Sequence, residues 1–339
     1  MDRITTYCEL DFIDNFLNNI PKESLLELFI NDNNEIDGFK VLYSLIFKRS
    51  NLVINKSKQE LATSDNPFHK MLLRGYTDGY SRLIDLGEAF TTEFDENGEL
   101  AEFPNHVDSL FLLHKFGVNK IKELGFFNTN ITSNYIKQVQ DLSYQNKYFV
   151  APNYNQENMF QGWDFLSKLN FPINSAIISD NFLLDKSESY KYNVFQIIKN
   201  LLPKSLGCDF HLTFLIKDGF YNEISRINAI SNFISELERP YAIKLSIYLT
   251  PANEPHDRDI ITNYYWIHSG HSLDYFNSNG KINKTTHLDF SGLLSGTNYS
   301  AYQVIKKILS FYKRILNGKR SLLEEPPFNM ESFQNRLLD

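Results

Sequence analysis

The sequence predicts an α/β protein of two domains. Its 339 residues exceed the usual size of a single domain, so two hydrophobic cores are expected. After residue 172, apolar β-type runs alternate with amphipathic helical patterns, which is typical of strands joined by crossover helices. Hydrophobic residues make up 42% of the chain and charged residues 22%, an ordinary composition for a folded globular protein.

Residues 1–165 are predicted to form a mixed, mostly helical α+β domain of unknown role. Short apolar runs stand among longer helical patterns here, and the polar stretch 91–99 is a predicted exposed turn. The apolar runs begin at Leu25, Phe39, Leu72 and Val107. The polar segment 151–157 contains proline, so the domain boundary is expected between this segment and Pro172.

The second domain, residues 166–320, is predicted to contain an alternation of strands and helices. Strands are expected over residues 176–180, 211–216, 243–249, 258–263 and 264–269. Helices are expected over residues 194–202, where Pro203 stops the pattern, and 227–237. Strands that alternate with helices favour a mostly parallel sheet covered on both faces.

A long amphipathic helix is predicted over residues 300–317, closed by Gly318. Its apolar stripe is predicted to consist of Val304, Ile305, Ile308, Phe311, Tyr312 and Ile315. Lys306 and Lys313 fall largely away from this stripe, so they are either the solvated side of a packing helix or contacts to phosphate or a membrane. The acidic tail, residues 321–339, contains two prolines, and its residues 323–332 are interpreted as an extended arm or partner-binding segment.

Charge and hydropathy restrict the classes of function. The net charge is −7, which argues against a surface coated with basic residues, yet residues 204–320 carry 14 Lys and Arg against 10 Asp and Glu. Such a local excess can bind phosphates, although solvated helix faces explain it equally well. No stretch is apolar enough for a membrane span, and no apolar run follows Arg3 as a signal peptide requires, so a cytoplasmic protein is expected.

The strongest chemical pattern is His256-x-Arg258-x4-Asn263-x6-Gly270. On a strand, His256 and Arg258 point to the same side, where the imidazole and guanidinium can reach one phosphate. A turn around Gly270 can add backbone donors, and the Ser272 hydroxyl can add another. The pattern therefore suits a phosphodiester.

These residues resemble the HKD motif of the phospholipase D superfamily, H-x-K-x4-D followed by a Gly-Ser element. In that resemblance His256 takes the nucleophile position, Arg258 that of the lysine and Asn263 that of the aspartate, while Ser272 stands one place beyond the expected serine. The resemblance covers about residues 172–320. It implies a phospholipase D-like mixed sheet with helices on both faces, and no cofactor.

The family mechanism implies that His256 attacks phosphorus and that a histidine from a second motif protonates the leaving oxygen. This chain has one such motif, so a working site needs a homodimer. Arg258 differs from lysine in bulk and shape, and Asn263 lacks the carboxylate, which favours binding over turnover.

The preferred interpretation is a component of a bacterial system, with antiviral defence as one context, that binds nucleic acid or a partner protein from the same operon. The alternative is a dimeric, metal-independent nuclease with His256 as nucleophile. A chance match on a different α/β fold, with His256 and Arg258 as ordinary polar residues, also stays open.

Two weaker patterns involve metal ligands. His268, His271 and His287 together with His256 suggest a metal site, but they lack helical i, i+4 spacing and are equally explained as surface or hydrogen-bonded histidines. Near the N-terminus, a β-type run over residues 4–10 leads to Asp11, with Glu9 and Asp14 nearby, which is reminiscent of metal-dependent nucleases. A helix N-terminus, where acidic residues are favoured, explains them as well.

Overall fold

The computed structural model describes residues 3–20, 38–73, 81–84, 107–114, 118–152, 158–169, 171–184, 187–217, 224–250, 258–297, 299–317 and 335–338. The chain forms two compact units, one from residues 1–144 and 294–303 and the other from residues 145–293 and 304–339. The predicted α/β class is confirmed. The apolar run at Leu25, the turn at 91–99 and the candidate nucleophile His256 lie outside the described residues.

A fully parallel five-stranded sheet forms the centre of the first unit, with strand order β3-β2-β1-β4-β5. The strands are β1 (Ile4–Cys8), β2 (Ser50–Ile54), β3 (Arg82–Ile84), β4 (Leu110–Leu113) and β5 (Phe127–Asn130). The described helices are α1 (Leu10–Asn19), α2 (Gly38–Ser44), α3 (Lys58–Thr63), α4 (Pro67–Leu72), α5 (Val118–Glu123) and α6 (Tyr135–Asp141).

This parallel arrangement is more regular than the mostly helical α+β domain that the sequence predicts. All residues of β1 and β4 are buried, and β4 is a short continuous apolar run, a pattern that can equally indicate a buried helix. The strand order reverses between β1 and β4. In open α/β sheets, ligands bind outside the carboxyl ends of the strands at such a reversal.

A mixed seven-stranded sheet forms the second unit, with strand order β6-β12-β11-β10-β7-β8-β9. The strands are β6 (Gln145–Val150), β7 (Ser175–Ser179), β8 (Phe210–Lys217), β9 (Ile243–Thr250), β10 (Asp259–Thr262), β11 (Tyr265–Ser269) and β12 (Thr286–Gly292). The helices are α7 (Phe165–Lys168), α8 (Val194–Leu201), α9 (Ile224–Glu236) and α10 (Ser300–Leu316), of which residues 304–316 belong to this unit.

Only β7, β8 and β9 pair in parallel, so the mostly parallel sheet expected from the alternation is limited to these three strands. The other neighbouring pairs are antiparallel. Residues 145–165 belong to this unit, whereas the sequence boundary assigns them to the first domain. The reason is the pairing of β6 with β12, a strand far along the chain that no local pattern indicates.

The stripe of α10 is shifted from the predicted one. In this unit its buried members are Ile305, Leu309, Tyr312 and Leu316, so the predicted positions 305 and 312 are confirmed. Val304 is 36% exposed and lies outside the stripe. No helix in the described ranges is both long and apolar enough to cross a membrane.

Part of the predicted acidic C-terminal tail packs against the second sheet. The side-chain amide of Asn335 is buried and donates to the carbonyl oxygens of Ala176 (3.0 Å) and His211 (3.2 Å), which lie on β7 and β8. The arm interpretation concerns residues 323–332, and this contact does not test it. Residues 321–334 lie outside the described part of the chain.

Candidate functional site

The spacing of the motif corresponds to one β-hairpin. Asn263 and Tyr264 connect β10 to β11, so the four residues between Arg258 and Asn263 are β10. The six residues before Gly270 include all of β11. The N–H of Ser269 donates to the carbonyl oxygen of Arg258 at 2.9 Å. The hairpin therefore brings Arg258 and Gly270 to the same end of the sheet.

The carboxyl end of β7 lies at this same end, because β10 is antiparallel to β7 with Asp259 opposite Ser179. Asp180, the residue after β7, consequently stands beside the start of β10. Since β8 and β9 are parallel to β7, their carboxyl ends lie along the same side. The motif thus begins at the side of the sheet where parallel strands commonly carry functional groups.

Arg258 has an unsatisfied donor. Its side chain is partly exposed, but its Nε atom is buried and has no hydrogen-bond partner among the described residues. A buried donor without a partner costs about 1–3 kcal/mol, and more on a charged group. An anion oxygen at this position would remove that cost, because guanidinium groups bind phosphate and carboxylate oxygens through charge-assisted hydrogen bonds.

Asn263 is not near Arg258. It lies in the turn at the opposite end of β10, separated from Arg258 by roughly 16 Å at ~3.3 Å per strand residue. Its side chain is buried, and its Oδ1 accepts a hydrogen bond from the N–H of Asn174 at 3.3 Å. The structure therefore does not bring Asn263 into a catalytic set with Arg258, and the missing carboxylate at this position does not decide whether the strand end is active.

Gly270 and Ser272 use their donors within the protein. The N–H of Gly270 donates to His287 O at 3.2 Å, and a Cβ on Gly270 would lie 2.9 Å from Thr286 Oγ1. Glycine is therefore explained by the close approach of β12. The buried Ser272 hydroxyl donates to Asp180 Oδ2 at 2.9 Å. Neither donor is left for a phosphate in this conformation.

Asp180 holds the segment that follows β11. Besides the Ser272 hydroxyl, its carboxylate accepts hydrogen bonds from the N–H of Leu273 at 2.6 Å and of Phe182 at 2.8 Å. Burial raises the pKa of Asp180 to about 6, although these hydrogen bonds favour the ionised form. The carboxylate therefore titrates in mildly acidic solution, which the sequence did not indicate.

Lys306 and Lys313 lie on α10, two turns apart. Between them, the Tyr312 hydroxyl donates to Asp259 Oδ2 at 3.2 Å, so α10 covers the sheet face to which Asp259 points. Arg258 directly precedes β10, and successive residues of an extended chain point to opposite faces, so its side chain is expected on the other face. The structure thus does not place these lysines beside Arg258 on its own face.

Asp259 was not singled out by the sequence, yet it is the best-connected carboxylate of the hairpin. It is fully buried and accepts from Trp266 Nε1 and His268 Nδ1, both at 2.8 Å, in addition to Tyr312. The sequence signal that could have identified Asp259 is the presence of an acidic residue at the start of the apolar run 260–261. A buried carboxylate that orients an imidazole is an arrangement found in catalytic and metal sites alike.

The remaining histidines of this region are hydrogen-bonded rather than gathered around one point. His287 Nε2 lies 3.3 Å from Asp289 Oδ2, and His271 Nδ1 accepts the N–H of Ser272 at 2.9 Å. Within the described ranges, no group of three or more metal-ligand side chains could hold a metal ion. The histidines of the described region thus fit the interpretation as surface or hydrogen-bonded residues.

The acidic residues near the N-terminus also point to separate partners. The buried carboxylate of Glu9 accepts a hydrogen bond from the backbone N–H of His114, which follows β4. Asp14 pairs with His69, whose Nε2 lies 2.7 Å from Asp14 Oδ1. Asp11 is exposed on α1. The three acids do not form a metal cluster in the described structure.

Comparison with known proteins assigns no family. No protein-family model and no curated protein matches the chain. A similar solved structure is that of TrmBL2, an archaeal chromatin protein with a novel mode of DNA binding, at 13% sequence identity. The match covers 44% of this chain and 46% of that chain, with a TM-score of 0.24, which is too low to indicate a shared fold.

Proposed function

We propose that the second unit binds phosphate groups of a nucleic acid at the end of the sheet where Arg258 and Gly270 meet. The observation that carries this proposal is the partly exposed guanidinium of Arg258, whose buried Nε has no hydrogen-bond partner among the described residues. A guanidinium binds phosphate oxygens through charge-assisted hydrogen bonds, and phosphate contacts supply most of the affinity of nonspecific nucleic-acid binding. The basic excess of residues 204–320 supports the same ligand class.

Binding without cleavage is favoured by the way the neighbouring donors are used. The Gly270 N–H and the Ser272 hydroxyl already have protein acceptors, so they do not complete a cradle around a reacting phosphate. We further propose that this unit derives from a phospholipase D-like domain, since the motif spacing fits one hairpin of a mixed sheet. The whole chain would then act as a homodimer, or with a partner protein from the same operon, in a bacterial system such as antiviral defence.

The alternative function is that of a dimeric, metal-independent nuclease with His256 as nucleophile. It is favoured by the position of His256, two residues before Arg258, where an extended chain points both side chains to the same side. Incubation of DNA and RNA with the protein in EDTA tests it. Cleavage that disappears in His256→Ala would support the nuclease, and cleavage that persists in this variant would contradict it.

Binding is tested by fluorescence anisotropy with labelled single-stranded and double-stranded DNA and RNA over a series of salt concentrations. Arg258→Ala should weaken binding and reduce the slope of log K against log[salt] by about one. Lys168→Ala is the matched control, because Lys168 is 73% exposed and pairs only with Asp164 among the described residues. Identical affinities and slopes for wild type and Arg258→Ala would refute the proposal.

A further inference from the structure

Ser64, His69 and Asp14 form a continuous hydrogen-bonded chain in the first unit. Ser64 Oγ lies 2.7 Å from His69 Nδ1, and His69 Nε2 lies 2.7 Å from Asp14 Oδ1. Ser64 follows α3, while His69 lies on α4 and Asp14 on α1. A hydroxyl, an imidazole and a carboxylate are thus connected in the order of a serine catalytic triad, with the two ring nitrogens exchanged relative to the serine-protease arrangement.

The direction of these bonds follows from the chemistry of the groups. The Asp14 carboxylate only accepts hydrogen bonds, so His69 Nε2 carries a proton and donates it. In the neutral ring Nδ1 is then the acceptor, and it receives the hydroxyl proton of Ser64. The N–H of Asn66 donates to Ser64 Oγ at 3.1 Å, which agrees with a hydroxyl that accepts one bond and donates another. His69 is therefore set to take a proton from Ser64.

Exposure and position both suit a reactive site. The His69 side chain is 9% exposed, which shields the imidazole, whereas Ser64 is only partly buried and can be reached from solvent. Asn66 steadies the arrangement, because its Nδ2 donates to Asp14 Oδ1 at 3.1 Å. The segments that carry the three residues leave the carboxyl ends of the neighbouring strands β1 and β2, the side of a parallel sheet where ligands bind.

We propose that Ser64 is the nucleophile of an acyl-transfer site for neutral carboxylic esters. Ser64 Oγ forms a bond to the carbonyl carbon as its proton passes to His69 Nδ1 and the π pair moves to the carbonyl oxygen. Asp14 stabilises the imidazolium through Nε2. When the tetrahedral intermediate collapses, the bond to the leaving alcohol breaks and the alcohol takes the proton from His69 Nδ1. Water then attacks the acyl-enzyme by the same steps and releases the carboxylic acid. Asp14 and the exposed Asp65 disfavour an anionic substrate.

A fluorophosphonate probe tests the nucleophile directly, because an activated serine forms an Oγ–P bond with loss of fluoride. Peptide mass spectrometry should find the adduct on Ser64 in wild type and none in Ser64→Ala. Labelling should slow about 100-fold or more in His69→Ala, in line with the usual contribution of a general base. Ser57 is the matched serine, because its hydroxyl bonds to Glu60 instead of a histidine, and Ser57→Ala should label like wild type.

A second pair of measurements separates catalysis from a structural role. Ser64→Cys should react with iodoacetamide faster than Ser57→Cys, and hydrolysis of p-nitrophenyl acetate should be lost in Ser64→Ala, because this variant lacks the nucleophile. Circular dichroism verifies that each variant is folded. Absence of an adduct on wild-type Ser64, or equal labelling of folded His69→Ala, would overturn the proposal. Neither result bears on Arg258, which belongs to the other unit.

Discussion

The fully buried carboxylate of Asp259 accepts a hydrogen bond from the ring Nδ1 of His268 at 2.8 Å, across the hairpin that contains the motif. Trp266 and Tyr312 donate to the same carboxylate. Side chains from β10, β11 and α10 therefore meet at one buried carboxylate. Removal of this carboxylate takes away the buried acceptor that Trp266, His268 and Tyr312 share. The Asp259 network is therefore expected to stabilise the second unit.

Asp259→Ala should lower the free energy of unfolding of the second unit by about 3–5 kcal/mol, the range for breaking a buried charged network. Both tryptophans of the chain, Trp163 and Trp266, lie in this unit, so tryptophan fluorescence during urea unfolding measures it selectively. Asp289→Ala, at a side chain 36% exposed, should cost less than about 1 kcal/mol. Equal losses in the two variants would contradict the role assigned to Asp259.

The raised pKa of Asp180 predicts a dependence of stability on pH. Because burial raises the pKa of the folded carboxyl from 3.8 to about 6, the folded state holds a proton that the unfolded state has released between these values. Stability should therefore fall as pH rises from about 4 to about 6, by up to roughly 3 kcal/mol at ~1.36 kcal/mol per pKa unit.

Asp180→Asn provides the comparison, since it removes the titration and keeps one oxygen acceptor. Urea unfolding at several pH values should give a difference, wild type minus variant, that decreases from pH 4 to pH 7. Titrations elsewhere in the protein cancel in this difference. A difference that stays constant over the range would mean that Asp180 does not titrate as its burial implies.

Local patterns predicted the core of the second unit well. The strands β7 to β9 and the helices α8 and α9 follow the predicted segments, because each is an apolar run bounded by turn residues such as Pro203. The meeting of Arg258 with Gly270 was also predictable, since one hairpin sets both spacings. These features depend on residues close together in the chain.

Features that depend on distant partners were not predictable from one sequence. Asp180 receives the Ser272 hydroxyl from 92 residues away, and that pairing turns a predicted phosphate donor into a structural one. β6 belongs to the second unit only through β12. In the first unit, the parallel order depends on pairing between strands that lie far apart in the sequence. The hydrogen-bonded chain of Ser64, His69 and Asp14 spans 55 residues. Residue type and spacing in one sequence do not predict such contacts between distant residues.

The docked C-terminal segment should contribute to the stability of the second sheet. The Asn335 side-chain amide bonds two backbone carbonyl oxygens, lies 3.1 Å from Thr213 Oγ1 and accepts the N–H of Leu337 at 3.0 Å, so Asn335→Ala removes four contacts at one buried position. The expected loss is about 2 kcal/mol, at roughly 0.5–1.5 kcal/mol for each hydrogen bond with partial replacement by water. Tryptophan fluorescence during urea unfolding measures this loss. An unchanged midpoint would show that the segment is not bound to the sheet in solution.

Gly38 at the start of α2 offers a test of packing in the first unit. Alanine usually favours a helix over glycine by up to ~1 kcal/mol, but a Cβ at Gly38 would lie 2.7 Å from both the Cγ2 and the backbone oxygen of Ile136. A backbone oxygen cannot rotate away, so α2 and α6 must separate. Gly38→Ala should therefore destabilise this unit by about 1–3 kcal/mol, the usual cost of overpacking.

Hydrogen exchange of β1 and β2 amides should increase, whereas the exposed control Lys70→Ala should leave it unchanged. Greater protection in Gly38→Ala would mean that helix propensity outweighs the contact with Ile136.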